Sequence, residues 1–374
     1  MSNSITNAAI YHQTTLYDFT KNPFPAKSFK RYDSFRFIDL FCGIGGIRLG
    51  MEKAGFDCVF SSDINDECKK TYNANFEELP HGDIVHIHEN EIPDFEILCA
   101  GFPCQPFSIS GKQKGFDDNR GTLFFEICRI IKAKMPPIVF LENVKHLVHH
   151  DGGRTLKTIL EQLRSLGYLV EWKLLNALDY GVPQNRERII IMATKSVAFD
   201  FAKVQKANRD ILNNFLDTYG DFEYLDEDEY TLIENPKTQK QSGLRFVGYR
   251  NKSIRKAGVR PGTEHLSRVH KQPNRIYSVM GTHPTLPSQE TSGRFWILLP
   301  NNRVRKLTID ECFRIMGFPA DFTRPSSNGE QYKQIGNSVC VPMVEAVAHA
   351  IKQQYFERKQ GESDDPFRIT KQSI

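Results

Sequence analysis

The chain has 374 residues, 40% of them hydrophobic and 25% charged, with a net charge of +4 at pH 7. This length allows one large core and a second domain. No apolar run approaches the roughly 20 residues of a membrane span, and residues 1–34 lack the apolar region of a signal peptide, which predicts a cytoplasmic protein. Eight cysteines without a C-x-x-C pair predict reduced thiols and no metal site.

Strand and helix patterns alternate from Phe35 to about Thr194. The apolar runs predict strands over Phe35–Phe41, Cys58–Ser61, Glu96–Ala100, Pro137–Glu142, Leu169–Leu175 and Glu187–Ala193. Helical spacing separates them, in a stretch ending at Ala54 and over Asp66–Phe76, Thr122–Lys134 and Thr155–Leu166. Repeated βα units predict an α/β fold with a mostly parallel sheet covered by helices on both faces.

This regularity stops near residue 194, which predicts a second, smaller and loop-rich domain over residues 195–322 with short β-like pieces such as Arg294–Leu299. A helix is predicted over Thr308–Met316 behind a Thr cap. Residues 323–355 are predicted to return to the first domain (35–194), with a final helix over Gly336–Ile351. Residues 1–34 form an N-terminal extension, and residues 356–374 a charged tail.

The charge is unevenly distributed. Residues Lys237 to Lys306 contain 15 Lys and Arg against Glu264 and Glu290, whereas Asp217 to Glu234 contain eight acidic residues and no basic one. The basic block is typical of a surface that binds a polyanion, although charge alone fits a solvated basic face equally well. The acidic block is interpreted as a surface loop or a solvated helix.

The sequence Gly101-Phe102-Pro103-Cys104-Gln105-Pro106-Phe107-Ser108 places a cysteine between two prolines, directly after an apolar strand. A thiol on such a stiffened loop is presented to solvent, as a nucleophile must be. The alternative is a buried structural cysteine, which is the commoner role of a free cysteine.

A glycine turn, Phe41-Cys42-Gly43-Ile44-Gly45-Gly46, follows the first predicted strand. It departs from G-x-G-x-x-G because Arg48 occupies the third glycine position, which weakens a dinucleotide interpretation. Asp63 ends the next strand and could bind ribose hydroxyls, and Asp83 at a third predicted strand end could bind an adenine amino group. These features predict a pocket for an adenosyl group without a pyrophosphate, while the turn alone also fits a plain βα connection.

Two further segments carry polar groups at strand ends. Glu142 leaves an apolar strand, where partial desolvation raises the pKa of a carboxyl group and suits it to share a proton. As an isolated residue it would more often be a charge at a helix N-terminus. Arg186 and Arg188 stand at i and i+2, which directs both side chains to one face of a strand. Surface Arg–Glu pairing is the alternative for either arginine.

Taken together, six blocks resemble, in order and spacing, those of the DNA (cytosine-5) methyltransferases of bacterial restriction–modification systems: Phe37–Gly50, Gly101–Lys112, Leu141–Val144, Gln184–Ile189, Arg305–Pro319 and Gln334–Pro342. The resemblance spans residues from about 35 to 350, and the Pro-Cys-Gln block is its most specific part. It implies a Rossmann-like methyltransferase domain that uses S-adenosylmethionine, and it makes the loop-rich domain a target-recognition domain.

The resemblance also implies the catalytic roles. Cys104 would attack C6 of cytosine so that C5 accepts the methyl group, and Glu142 would hold the base at N3 and the exocyclic amine. Arg188 would contact the cytosine carbonyl, and Arg186 would support the flipped nucleotide and its phosphate. A cytosine inside a duplex is inaccessible to a thiol, so the mechanism requires base flipping.

The remaining residues carried over from the family fall into two groups. The first binds the cofactor and comprises Phe41, Gly43, Ile44, Gly45, Asp63, Ile64, Asp83, Ile84, Pro103, Leu123, Asn337 and Val339. Phe41 and Ile44 would be walls beside the adenosine, and Ile64 would pack on the purine, where the family often has an aromatic residue. The second group contacts DNA and comprises Gln105, Ser108, Ser110, Gln272, Arg275 and Thr285.

The implied partner is double-stranded DNA, with a cognate restriction endonuclease as functional partner and the enzyme acting as a monomer. Residues Gly258–Ser292 resemble those of enzymes for GC-rich sites of the GCNGC kind. Arg250, Arg255 and Arg260 would either contact phosphates or read guanine. Two alternatives remain, namely a tRNA-directed enzyme of the same family, whose usual Cys-Phe-Thr segment is missing here, and a non-catalytic DNA-binding relative.

Overall fold

A six-stranded sheet forms the centre of the protein. The computed structural model describes residues 35–103, 123–251, 274–288 and 295–357. The sheet has the order β2-β1-β3-β4-β7-β5. Its strands are β1 (Phe35–Leu40), β2 (Phe56–Ser62), β3 (Ile97–Gly101), β4 (Ile138–Val144), β5 (Leu169–Asn176) and β7 (Glu187–Thr194).

Helices cover both faces of this sheet. The helices of the described residues are α1 (Gly46–Lys53), α2 (Asp66–Phe76), α3 (Leu123–Lys134), α4 (Arg154–Ser165), α5 (Ile309–Arg314), α6 (Asn328–Asn337) and α7 (Val341–Ile351). Of these, α1 and α7 pack on one face of the sheet and α3 and α4 on the other. Successive side chains of a strand point to opposite faces. Phe37 accordingly packs with Met51 and Val344 of α1 and α7, whereas Ile38 packs in the cluster that contains Ile127 of α3 and Ile159 of α4. The predicted α/β fold with helices on both faces is confirmed.

Strand β7 departs from the parallel arrangement. Strands β2, β1, β3 and β4 pair in parallel, but β7 runs antiparallel to both β4 and β5, between which it lies. An antiparallel strand begins at the edge where its parallel neighbours end. The first residues of β7 therefore lie beside the carboxyl end of β4.

The final helix predicted over Gly336–Ile351 is two helices, α6 and α7, separated at residues 338–340. Pro342 lies in the first turn of α7, a position that suits proline because its missing N–H would be unpaired there. The helix predicted behind Thr308 is confirmed as α5. Its Thr308 Oγ1 accepts a hydrogen bond from Glu311 N at 3.1 Å.

Residues 195–322, predicted as a second domain and called the second domain below, contain more strand structure than their loop-rich sequence predicted. A five-stranded sheet has the order β13-β12-β10-β9-β8. Its strands are β8 (Tyr230–Leu232), β9 (Phe246–Arg250), β10 (Arg275–Ser278), β12 (Trp296–Leu298) and β13 (Val304–Lys306). Short strands and the many Asn, Gly and Pro residues between them hide the alternation from which strands are predicted.

The acidic segment 217–234 links the two edges of this second sheet. Tyr224 bridges Arg305 of β13, and a few residues later the segment forms β8 on the opposite edge. Its carboxylates pair with basic side chains, including Glu223 with Lys306 at 2.5 Å. The acidic segment is thus mostly exposed, as expected of a surface loop, and it pairs with part of the basic block.

A two-stranded sheet joins the two domains. It pairs β6 (Gln184–Asn185), just before β7, with β11 (His283–Pro284) of the second domain. The seven described cysteines are free thiols. In the part of the chain that the structure describes, no helix is long and apolar enough to cross a membrane.

Candidate active site

The glycine turn after β1 is built from unusual backbone conformations. Phe41 has φ +57°, a left-handed value that is costly for a bulky residue, and Gly43 and Gly45 have φ +56° and +84°. A Cβ built on Gly43 would meet no atom within 4 Å. The turn therefore leaves open space beside the backbone of Gly43, which suits close approach of a ligand.

Asp63 links this turn to the end of β2. Its Oδ2 accepts a hydrogen bond from Gly43 N at 2.8 Å, and its Oδ1 accepts one from Asn65 N at 2.8 Å. Burial raises the pKa of Asp63, and the two backbone donors oppose that shift. Each oxygen keeps a lone pair that could accept from a ribose hydroxyl. Ile64 beside it is 72% exposed and free to pack against a flat ring.

Asp83 lies in a different local setting from the one expected. It follows a single bridge between Ser62 and His81 and precedes β3, so it does not end a third strand. Its Oδ1 accepts from Val85 N at 3.1 Å and caps a short 3-10 turn. The side chains of Ile44 and Ile84 are each only 2% exposed and pack in the core.

Glu142 and Arg188 form the charged centre of the site. Glu142 Oε1 lies 2.8 Å from Arg188 Nε, and each side chain is 10% exposed. Burial raises the pKa of Glu142, against the lowering effect of Arg188 and Arg186. Apart from Arg188, no donor of the described residues reaches the buried Oε1. A buried acceptor with unused capacity is costly unless a ligand satisfies it.

Asn143 beside Glu142 was not singled out from the sequence. Its Nδ2 donates to Phe102 O at 2.8 Å and so fixes the chain that leaves β3 toward Pro103. The signal available in the sequence was an amide next to a strand-end carboxylate. Pro103 is exposed, and Leu123 is the half-buried first residue of α3. Cys104, Gln105, Ser108, Ser110 and Gln272 lie outside the described residues.

Arg186 does not stand where a direct phosphate contact would need it. Its side chain is 0% exposed, and its terminal nitrogens donate to backbone carbonyls of Leu286, Gly336 and Ser338. The expectation that it supports the flipped nucleotide through a phosphate is corrected for this conformation. Arg188 alone of the two arginines pairs with Glu142.

The turn between α6 and α7 faces the glycine turn. Asn337 ends α6 with an exposed side chain, whereas Val339 is buried. A Cβ built on Gly46 would lie 2.6 Å from Ser338 Oγ, so the two turns are in close contact. Gln334, a residue that sequence reasoning missed, holds α6 against α2 by donating to Glu67 O at 3.0 Å.

In the second domain, three predicted or candidate DNA contacts are described. Thr285 Oγ1 donates to Asn185 O at 2.6 Å, which ties it to the junction. The guanidinium of Arg275 lies 5.6 Å from the ring centre of Phe246. That of Arg250 lies 4.6 Å from the ring of the buried Trp296, an arrangement that holds a cation in place. None of these contacts identifies a base.

The described side chains at this edge of the sheet are suited to bind polar organic groups. Within the described ranges, no group of three or more His, Cys, Asp and Glu residues is placed to hold a metal ion. The open glycine turn, Asp63 and the exposed Ile64 and Asn337 instead fit an adenosyl group with an amino-acid end. Glu142 and Arg188 fit a polar heterocycle that offers both donors and acceptors.

The solved structures similar to this chain include methyltransferases. The Entamoeba histolytica methyltransferase EhMeth matches 87% of this chain and 100% of its own with a TM-score of 0.63 and 19% identity. The Schizosaccharomyces pombe Dnmt2 methyltransferase matches 86% and 100%, also with a TM-score of 0.63 and 19% identity. At such low identity the likeness establishes the methyltransferase fold.

Sequence comparison gives the family. The family model described as C-5 cytosine-specific DNA methylase matches residues 35–353. The chain is 40% identical over 334 residues to the Type II methyltransferase M.HhaI of Haemophilus parahaemolyticus, covering 86% of this chain and 95% of that protein. It is 42% identical to M.NgoBI of Neisseria gonorrhoeae, with 83% and 91% covered. The protein belongs to the C-5 cytosine-specific DNA methylase family and is a DNA cytosine-5 methyltransferase.

Proposed function

We propose that this enzyme transfers the methyl group of S-adenosylmethionine to C5 of a cytosine within a short double-stranded DNA sequence. The buried pair of Glu142 and Arg188 carries the proposal, because cytosine presents complementary groups at N3, its exocyclic amine and its carbonyl. The similarity to Type II methyltransferases supports a role in protecting DNA from a cognate restriction endonuclease. The enzyme would act as a monomer.

S-adenosylmethionine would supply an electrophilic methyl group, and breakage of its bond from sulfur to the methyl carbon would release S-adenosylhomocysteine as the product. The residues that would hold it are those of the open glycine turn, Asp63 for the ribose, Ile64 for the purine and Asn337 for the methionine end. Asp83 and the backbone around it would bind the adenine edge. The space beside Gly43 and the free lone pairs of Asp63 fit such a group.

In the proposed mechanism the Cys104 thiolate forms a bond with C6 of the cytosine. Electron density then moves to C5, while Glu142 holds a proton at N3 and balances charge on the ring. Arg188 donates to the cytosine carbonyl. After C5 has formed its bond to the methyl carbon, a base removes the C5 proton and the electron pair expels the Cys104 thiolate. The enzyme is thereby regenerated.

The catalytic groups require a cytosine outside the base stack, so base flipping is part of the proposal. In the closed complex, Gln105, Ser108 and Ser110 would contact DNA from the Cys104 segment. Gln272, Arg275 and Thr285 would contact it from the second domain. The recognition site is proposed to be GC-rich and of the GCNGC kind.

The decisive experiment incubates the purified protein with tritiated S-adenosylmethionine and either duplex DNA or tRNA. Label is expected in DNA, and Cys104→Ser is expected to remove it, because a hydroxyl is a far weaker nucleophile than a thiolate. Label in tRNA alone would overturn the proposal, as would undiminished labelling by Cys104→Ser. Bisulfite sequencing of DNA from an expressing host then gives the methylated site.

A further inference from the structure

Arg186 is a buried cation whose partners are backbone carbonyls. Its Nη1 donates to Leu286 O at 3.1 Å, and its Nη2 donates to Gly336 O at 2.9 Å and to Ser338 O at 2.5 Å. Burial and the neighbouring Arg188 lower the pKa of Arg186, but a guanidinium stays charged in proteins. Burial of a charged group is costly, and hydrogen bonds to the three carbonyls offset that cost. Arg186 therefore joins the three carbonyls.

The three carbonyls belong to two parts of the proposed site. Gly336 and Ser338 flank Asn337 at the end of α6, and this segment, called the 336–338 turn below, is proposed to hold the methionine end of the cofactor. Leu286 belongs to the second domain, two residues after β11. Arg186 itself lies two residues before Arg188, the partner of Glu142.

Close packing extends this junction in both directions. Toward the cofactor, the Gly46 position of α1 lies against Ser338 and Val339, with 2.6 Å between a built Cβ and Ser338 Oγ. Toward the second domain, a Cβ on Gly336 would lie 2.2 Å from Pro287 O. In addition, Leu286 N donates to Oε1 of the buried Gln184 at 3.1 Å. A displacement of the 336–338 turn therefore cannot be absorbed locally, because packed contacts surround it.

We propose that Arg186 is a positioning residue that couples occupancy of the cofactor site to the DNA affinity of the second domain. The coupling rests on the proposed function, since it assumes that the first site takes S-adenosylmethionine and the second domain binds DNA. A bound cofactor orders the 336–338 turn, Arg186 holds Leu286 to that turn, and the DNA-contacting segment is fixed in its binding conformation. By linkage, DNA tightens cofactor binding by the same factor.

The test first establishes methylation of a duplex that carries the mapped site, so that failure of the proposed function is seen separately. Fluorescence anisotropy then measures the dissociation constant of that duplex with and without saturating S-adenosylhomocysteine. For the wild type, the ratio of the dissociation constant without S-adenosylhomocysteine to that with it is expected to be about tenfold, which lies within the usual range of coupling free energies. Arg186→Lys keeps the charge but cannot join three carbonyls in one plane, and it is expected to reduce the ratio to less than about twofold.

Arg305→Lys is the matched control. Arg305 is 1% exposed and equally buried, but it binds Glu311 and Lys306 O and none of the cofactor segments. It is expected to lower stability and to keep the tenfold ratio. If Arg186→Lys weakened DNA binding equally with and without S-adenosylhomocysteine, the coupling would be overturned and a direct contact with DNA indicated. A wild-type ratio of dissociation constants near one would also overturn the coupling.

A second measurement needs no variant. Hydrogen exchange of the wild-type protein is followed with and without S-adenosylhomocysteine. The amides of His283 and Leu286, which donate to Pro183 O and to Gln184 Oε1, are expected to exchange at least about threefold more slowly with the product bound. Protection confined to residues 41–46, 63–64, 83–84 and 336–339 would contradict the proposal.

Discussion

Gly101 and Glu142 are register partners on the adjacent parallel strands β3 and β4, and a Cβ built on Gly101 would lie 3.6 Å from Glu142 Oε2. The chain that leads to Cys104 thus leaves the sheet beside the carboxylate. Asn143 strengthens this arrangement through its hydrogen bond to Phe102 O at 2.8 Å. The ends of β3 and β4 thus bring Gly101 and Glu142 together, and Cys104 follows Gly101 by three residues in the sequence.

Glu142→Gln is expected to lower kcat about 10²- to 10³-fold, because the amide cannot exchange a proton with N3 of the cytosine. The KM for S-adenosylmethionine should change less than about twofold, since Glu142 is separate from the groups proposed to hold the cofactor. Steady-state methyl transfer to the mapped duplex measures both. Glu187→Gln is the control, because Glu187 pairs with Lys145 at the exposed rim. Full activity of Glu142→Gln would contradict the proposed role.

Asp63→Asn is expected to raise the KM for S-adenosylmethionine about tenfold or more. The amide has only one acceptor oxygen, so its NH₂ group must face the N–H of Gly43 or Asn65, and a ribose ligand is lost as well. DNA affinity without cofactor should stay within about twofold. Asp66→Asn, an exposed position paired with Lys69, should leave both values unchanged. An unchanged KM in Asp63→Asn would argue against the ribose contact.

The buried side chain of His283 is expected to make the free energy of unfolding depend on pH. Burial lowers its pKa to about 4, its Nδ1 lies 2.6 Å from Pro284 O, and its Nε2 is buried without a partner. The folded-state pKa is below the ordinary 6.5, so the unfolded chain binds the proton more readily, and stability is lost as pH falls from about 6.5 toward 4. The loss from this residue approaches about 3 kcal/mol, from 1.36 kcal/mol per pKa unit.

His283→Asn retains a donor for Pro284 O but does not titrate. Urea unfolding at a series of pH values should therefore show a flatter profile for the variant between pH 6.5 and 4. Other acidic groups affect both proteins equally, so the difference between the two profiles isolates the histidine. Parallel profiles would show that His283 does not bear this pH dependence.

Among these predictions, disruption of the buried pair of Glu311 and Arg305 is expected to have the largest effect on the free energy of unfolding. Glu311 is 0% exposed and accepts from Arg305 at 2.6 and 2.8 Å and from Thr308 N and Asp217 N, each at 2.8 Å. Glu311→Gln leaves the buried guanidinium without a counter-charge and is expected to cost about 3–5 kcal/mol of unfolding free energy. Glu330→Gln, which affects an exposed pair with Lys333, should cost less than about 1 kcal/mol. Similar losses of unfolding free energy in Glu311→Gln and Glu330→Gln would contradict this prediction.

Much of the first domain was predictable because its strands are continuous apolar runs, and α2 has the predicted bounds Asp66–Phe76. The sequence predicted that Glu142 and Arg188 contribute to the same site, but it did not predict that they form an ion pair. Its geometry depends on the direction of β7, which an apolar sequence does not encode, since an antiparallel strand reads the same as a parallel one. The different orientations of Arg186 and Arg188 were also hidden, because Arg186 falls in the break between β6 and β7.

The second domain was harder to predict for a different physical reason. Its strands are two to five residues long, too short for the alternation of buried and exposed side chains to become visible. Its stability depends on contacts such as those of Asp217 with Glu311 and of Arg250 with Trp296, which link segments far apart in the sequence. Net charge indicated a polyanion surface but not that the acidic segment pairs with it.

The position of β7 has a consequence for the order of folding. This strand is the last of the central sheet in the sequence, yet it lies inside it, between β4 and β5. The sheet therefore cannot be completed by adding strands at its edge, and β5 has no neighbour until β7 has entered. Arg188 reaches Glu142 only in that step, so recovery of methyl transfer during refolding should coincide with the closing of the sheet and not precede it.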